Sequence, residues 1–187
     1  MLRKTKLLTC IVVSASVFSL SGLGQAPALA ATTSSSKPVM ANQFTSSQTK
    51  EAKLNKLISV GKTQLGVKWR HGTQKPGYGF DCSNFTSWVY KEALGIKFSS
   101  SSRAQRYDKS IGTPVKIDKS NIYKNLQKGD LLFFANSADK GGGGHVGIYA
   151  GDGYILQCGG GRGKVTFEKM KGTWFEKKLV YAKRIVN

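Results

Sequence analysis

The stretch Phe80-Asp81-Cys82-Ser83-Asn84-Phe85 decides how this chain is read, because Gly144-His145-Val146-Gly147-Ile148-Tyr149 joins it downstream. Together they supply a thiol and an imidazole, the groups of a nucleophile and its base. After Cys82, the residues Phe85, Trp88, Val89 and Leu94 return to one helical face, and Gly95 is a stop signal. Cys82 therefore falls at a helix start, where unpaired backbone N–H groups and the positive end of the helix dipole favour thiolate over thiol.

Working outward, the second half of the chain changes period. Short β-branched and aromatic runs at 131–134, 146–150, 154–158, 165–167 and 179–186 are separated by glycine-containing turns and predict an antiparallel sheet. Gly151-Asp152-Gly153 is a hairpin signal between two of them. Ahead of Cys82, Leu54, Leu57, Ile58 and Leu65 recur at helical offsets over 51–65, with Gly66 as terminator, and 72–79 is a Gly- and Pro-rich loop. Ser100 or Ser102 can cap a short helix running to about Tyr107, closed by Gly112-Thr113-Pro114. Helices first and strands afterwards predict an α+β fold with the Cys82 helix packed on the sheet. The glycine run 141–144 lacks the Lys and Ser or Thr of a phosphate loop and reads as a connection.

At the front, Arg3, Lys4 and Lys6 precede an apolar run over 7–20 and then Ala28-Leu29-Ala30, the order of a secretory signal cut after Ala30. Cys10 stands ahead of most of that apolar core, the wrong side for lipid attachment. Residues 31–50, mainly Ser, Thr, Gln, Asn and Lys, read as a disordered linker, which leaves 51–187 as one catalytic domain. No later run approaches eighteen unbroken apolar residues, so no transmembrane anchor is expected. The chain carries a formal charge of +19, and loss of Arg3, Lys4 and Lys6 with no acidic residue leaves +16. A secreted monomer of that charge should gather on polyanions. Nucleic acid is disfavoured as the partner, since the basic residues are scattered and carry no nucleic-acid-binding motif.

Only Cys82 and Cys158 lie beyond the signal, too few for a stapled scaffold and without the close Cys or His pairs of a zinc site, so neither a disulfide nor a metal is expected. Of the two histidines, His145 opens a strand-like run and can be aimed rigidly, whereas His71 lies in the Gly-rich loop; His145 is the preferred base. Gln157 follows on the strand paired through the Asp152 hairpin, and its amide oxygen can orient the imidazole without adding charge. Strand alternation sets Gln157 and Cys158 on opposite faces, making Cys158 a packed, inert thiol.

Three motifs in order, Asp81-Cys82-Ser83, Gly129-Asp130-Leu131 with Phe133-Phe134, and the run 145–149, resemble the NlpC/P60 family of papain-like cysteine peptidases that act on bacterial cell-wall peptides. The resemblance covers about 53–186. It implies a papain-like fold, Cys82 as nucleophile, His145 as base, Gln157 as third polar residue where His is more usual, and no cofactor. It further implies that Asp81 and Ser83 hold the free amino terminus of a peptidoglycan stem peptide, although helix N-capping by Asp81 is the competing reading. Two positions depart from the family pattern. Trp69 stands where a tyrosine hydroxyl usually helps line the site, and Asn84 adds a side chain where Gly is usual. The expected activity is cleavage between D-glutamate and the diamino acid of the stem peptide by a protein located in the cell wall or outside the cell, drawn by charge to anionic wall polymers. Two alternatives stay open: a related thiol amidase acting on poly-γ-glutamate, and a non-catalytic wall-binding or effector protein.

Overall fold

The computed structural model describes residues 39–187 apart from 138. The expected signal segment, 1–30, lies outside the described residues. Helix α1, Val39–Lys62, begins well before residue 51 and takes in the latter part of the stretch read as linker. Neither Gly nor Pro interrupts the sequence between Val39 and Gly61, so nothing in the backbone stops the helix there. It ends short of Leu65, which is half exposed, and Gly66 turns the chain at φ +84°. The Gly66 N–H then donates to Val165 O at 3.0 Å.

The loop over 72–79 contains a small antiparallel ribbon, β1 (Gln74–Lys75) and β2 (Gly79–Phe80). Helix α2, Cys82–Leu94, starts and stops as its sequence demands: Asp81 caps it and Gly95, at φ +71°, returns its N–H to Lys91 O and Tyr90 O. Helix α3, Ser102–Tyr107, is capped by Ser101, not by Ser100 or Ser102. The Ser102 hydroxyl instead donates to Gly143 O at 2.6 Å.

Six strands follow: β3 (Thr113–Val115), β4 (Leu131–Phe134), β5 (His145–Gly151), β6 (Tyr154–Gly159), β7 (Lys164–Lys169) and β8 (Leu179–Arg184). They form one antiparallel sheet in the order β3-β8-β4-β5-β6-β7. Strand β3 went unread because Pro114 signals a turn, but Pro is tolerated on an edge strand, which is where β3 lies. Helix α4, Trp174–Lys178, is too short to show a period and is recognisable only by its Thr173 cap. Among the described residues no helix is long and apolar enough to cross a membrane.

Alternation splits the buried side chains between the two faces of the sheet. Leu131, Phe133, Val146, Ile148, Leu156 and Cys158 pack under Leu57, Phe85, Val89 and Tyr90 of the helices. Leu132, Phe134, Tyr149 and Ile155 face Met170, Phe175 and Leu179 on the other side. Helix α1 approaches β6 closely at Gly61, where a Cβ would stand 2.3 Å from Leu156 Cδ2.

The Gly129-Asp130-Leu131 motif has a structural reason. Asp130 is 1% exposed and accepts from Arg184 Nε at 3.0 Å, Arg184 Nη2 at 2.9 Å and the Gln127 N–H at 2.8 Å. This bidentate pair ties the turn that begins β4 to the end of β8. Removing Arg184 strands the buried Asp130 carboxylate, at a cost of about 3–5 kcal/mol, whereas Arg184 is 21% exposed and keeps Asn125 O when Asp130 is removed. Arg184→Ala should therefore lower the unfolding free energy by about 3 kcal/mol, and the Asp130→Ala/Arg184→Ala double variant should lose less than the sum of the singles. Urea denaturation of the four proteins checks this; strictly additive or negligible losses would remove the pair from the account of the fold.

Candidate active site

Asp81 sets the start of α2. Its Oδ1 accepts from the Asn84 N–H at 2.8 Å and the Ser83 hydroxyl at 3.2 Å, and its Oδ2 accepts from the Gly72 N–H at 2.9 Å and Asn84 Nδ2 at 2.8 Å. Four donors fill the acceptor positions of a carboxylate, so a substrate ammonium would have to displace one of them. Asn84 folds its amide back onto the cap and strengthens it. Ser83 is buried, its hydroxyl on Asp81 and its carbonyl accepting from Gln105 Nε2 at 2.9 Å. Gln105, fully buried on α3, also donates to Ser99 O at 2.7 Å and accepts from the Thr86 hydroxyl at 2.9 Å. It braces the first turn of α2 and was not read from the sequence, where a lone Gln in a short helix gives no signal.

Cys82 thus stands at a capped helix start, in reach of the Val146 N–H, the residue after His145. The expectation of a ready thiolate needs correction. Burial pushes the Cys82 thiol up; the Val146 N–H draws it down, the Asp81 charge adds to the rise, and the Ser83 N–H and hydroxyl draw it down again without reversing it. A helix start favours thiolate only as far as desolvation allows.

His145 opens β5 with its ring against Phe134, Trp174 and Phe175, at centroid separations of 5.7, 6.1 and 6.3 Å. Burial lowers its pKa to about 4, with the neighbouring Gln157 amide acting in the opposite direction. Both shifts favour the uncharged forms, thiol and imidazole. Among the described residues no hydrogen bond of close geometry joins them, as is common in free enzymes, whose catalytic contacts tighten with substrate.

Gln157 lies on the face of β6 shared with Ile155, and Cys158 faces the helices with its S–H on Phe80 O at 3.2 Å, the division that alternation predicts. Cys82 and Cys158 are both free. Gln157 Nε2 donates to the Thr166 hydroxyl at 2.7 Å and Glu168 Oε1 at 3.3 Å. Its buried Oε1 has no closely bonded donor and lies beside the imidazole: a Cβ on Gly159 would meet that oxygen at 2.6 Å and His145 Cε1 at 3.2 Å. Thr166 and Glu168 were also missed. Their signal is the two-residue alternation on β7, where Thr166 pairs directly with Gln157.

His145 and Gln157 line a cavity of about 390 Å³ with Asn136, Gly159, Arg162 and Trp174. Trp69 packs its indole near Gly160 and 6.3 Å from the His71 ring, so it borders the turn that follows β6. His71 is exposed in its loop. Among the described residues no group of three or more His, Cys, Asp or Glu side chains is set to hold a metal ion.

This mixed helix-and-sheet arrangement is that of papain-like domains. The model of the NlpC/P60 family matches residues 66–184, and the chain belongs to that family. It is 42% identical over 102 residues to a gamma-D-glutamyl-L-lysine dipeptidyl-peptidase of Bacillus cereus, covering 54% of this chain and 27% of that protein. It is 30% identical over 131 residues to a gamma-DL-glutamyl hydrolase of Bacillus subtilis, covering 70% of this chain and 29% of the relative. The chain thus spans under a third of the length of either. The crystal structure of an NlpC/P60 family protein from Bacillus cereus matches with a TM-score of 0.60 at 31% identity, over 72% of this chain and 40% of that one. The peptidoglycan hydrolase RipB of Mycobacterium tuberculosis shares the fold, with a TM-score of 0.58 at 24% identity over 85% of this chain and 74% of its own.

The depressed imidazole gives a pH prediction. His145 should titrate near 4 and stay neutral through the mildly acidic range. Because that value lies below the ordinary 6.5 of an unfolded histidine, the unfolded chain takes up the proton first, and His145 lowers stability as pH falls from 6.5 towards 4. An NMR titration of the ring checks both position and sign; a midpoint near 6.5 would mean that the ring is solvated.

Proposed function

We propose that this protein is a thiol hydrolase that cuts the γ-glutamyl amide bond between D-glutamate and the diamino acid of peptidoglycan stem peptides. The observation that carries the reading is the sequence of groups from a capped helix start, through the Cys82 thiol and the His145 imidazole, to the buried oxygen of Gln157. Two relatives named for γ-glutamyl hydrolysis support the choice of bond.

In this reading the neutral imidazole of His145 takes the thiol proton as the sulfur attacks the amide carbonyl, so charge separates only as the bond forms. Backbone N–H groups at the start of α2 stabilise the oxyanion. The imidazolium then gives its proton to the leaving amine, and the carbonyl is left as a thioester on Cys82. Water, deprotonated by the same imidazole, attacks the thioester; the glutamyl carboxyl is released and the proton returns to sulfur. Gln157 holds the ring, Trp69 borders the groove at the turn after β6, and Asp81 with Ser83 meets the substrate amino group by giving up one of the four hydrogen bonds on the Asp81 carboxylate. Export by the segment 1–30 places the enzyme in the wall or outside the cell, where its charge concentrates it on anionic polymers.

A second reading, hydrolysis of poly-γ-glutamate, is favoured by the Bacillus subtilis relative's name and by the same basic charge. Digestion of purified sacculi and of poly-γ-glutamate, with mass analysis of the fragments, separates the two, and an absence of products from both would leave a binding protein. On the active substrate, Cys82→Ala and His145→Ala should each abolish turnover while folding is retained, and Cys158→Ser should leave it nearly unchanged. Loss of activity in folded Cys158→Ser would reverse the assignment of the thiols. Binding to sacculi should weaken steadily across a salt series; retention at high salt would point to a pocket that recognises the wall polymer itself.

A further inference from the structure

We infer that Thr166 and Glu168, steadied by Arg162, are positioning residues that fix the Gln157 amide with its oxygen towards His145 and thereby select the working tautomer of the imidazole. The inference rests on the reading of His145 as the base.

Two groups on β7 beside Gln157 can only accept hydrogen bonds from it. Glu168 is gripped by Arg162, whose Nε lies 3.2 Å from Oε1 and 3.0 Å from Oε2 and whose Nη2 lies 2.6 Å from Oε2. Burial pushes the Glu168 carboxyl up, but the bonds from Arg162 and Thr166 more than offset this and hold it below its ordinary value. Ionised, it has no proton to donate. The Thr166 hydroxyl has one proton, and that proton is directed to Glu168 Oε1 at 2.7 Å. Towards Gln157, Thr166 can therefore only accept. Both groups facing the end of the Gln157 side chain on β7 are acceptors, at 2.7 and 3.3 Å from Nε2.

A flipped amide would set Oε1 against two acceptors and leave its NH2 without them. The observed orientation is thus the one the network permits, and it leaves Oε1 buried without a closely bonded donor next to His145. An acceptor in that place is satisfied by a ring N–H. The imidazole nitrogen facing Gln157 then carries the proton, and the other is free to take one from the thiol. The chain of direction runs from Arg162 to Glu168, to Thr166 and Gln157, and ends at the base. Arg162 and Glu168 are partly exposed, so their contribution is one of direction more than of stability.

Nitrogen-15 NMR of the His145 ring in the Cys82→Ala protein at neutral pH reads the tautomer without substrate. The parent should show one protonated and one unprotonated ring nitrogen, distinctly shifted. In Glu168→Ala the Thr166 proton is released and can donate to a turned amide, so the two nitrogen signals should move towards each other. With Cys82 intact, Glu168→Ala should lower kcat about tenfold or more with little change in KM, and the acid limb of its pH profile should move lower as the bond that raises the His145 pKa weakens. Thr166→Ser should behave as wild type and Thr166→Val should show a smaller loss; this pair carries the test if Glu168→Ala does not fold. An unchanged tautomer and kcat in folded Glu168→Ala, or in Thr166→Val, would overturn the inference. Failure of the wild-type protein to cut wall peptides would sink the proposed substrate while leaving the tautomer measurement to decide the network separately.

Discussion

The cross-strand register of β5, β6 and β7 is the constraint on which the site depends. Side chains alternate with a period of two, so one residue of slip on β6 would exchange Gln157 for Cys158 beside His145 and turn an amide into the core. The register is held at one end by the hairpin, where Asp152 takes φ +51° between Gly151 at +91° and Gly153 at +75°. A bulge between Tyr149 and Gly151 completes the turn. At the other end, β7 pairs with β6 from Tyr154↔Lys169 to Gly159↔Lys164 without interruption. Hydrophobic burial on both faces reinforces that choice, since Leu156 and Cys158 belong under the helices and Ile155 opposite them.

On this frame α2 delivers its first residue to the beginning of β5. The apolar face from Phe85 to Val89 covers Val146 and Ile148, and the cap on Asp81 fixes where the helix begins. Depth has an electrostatic consequence. The same burial that holds Cys82 and His145 in place raises the pKa of the thiol and lowers that of the imidazole, so each favours its neutral form at rest. The side chain set beside the ring is correspondingly an uncharged amide, Gln157, and not a carboxylate.

The sequence disclosed the parts that follow from period and punctuation. Five of the strand runs, the start and stop of α2, the opposite faces of Gln157 and Cys158, and the Asp152 turn are all local signals. What it hid was set by tertiary context. Strand β3 contains Pro114 and exists because it lies at an edge; α1 extends upstream through residues whose composition reads as linker; α4 is a single capped turn and a fraction. Ser101 rather than either neighbour caps α3 because Ser102 is drawn to Gly143. The thiol's protonation is hidden for a related reason: the helix dipole is visible in a sequence, but the depth at which the helix start is buried is not. Thr166 and Glu168 were legible in principle, as alternate residues on the strand next to Gln157, but recognising them required the register of β6 and β7.

The glycines around the candidate base are explained by the side chains that converge there. A Cβ on Gly144 would run into the Asn136 amide at 2.2–2.3 Å, and one on Gly147 would come within 2.7 Å of Ile155 Cδ1 and 3.0 Å of Gln157 Cβ. One on Gly159 would enter the space between the Gln157 oxygen and the imidazole. None of the three needs a positive φ, so backbone freedom is not the reason for them. They keep volume empty around His145, Gly144 for Asn136, Gly147 for Ile155 and the stem of Gln157, and Gly159 for the amide oxygen beside the ring. The spacing Gly144-His145-Val146-Gly147 is thus a packing requirement imposed by residues on neighbouring elements, and it makes Gln157 and His145 a single fitted unit rather than two independently placed side chains.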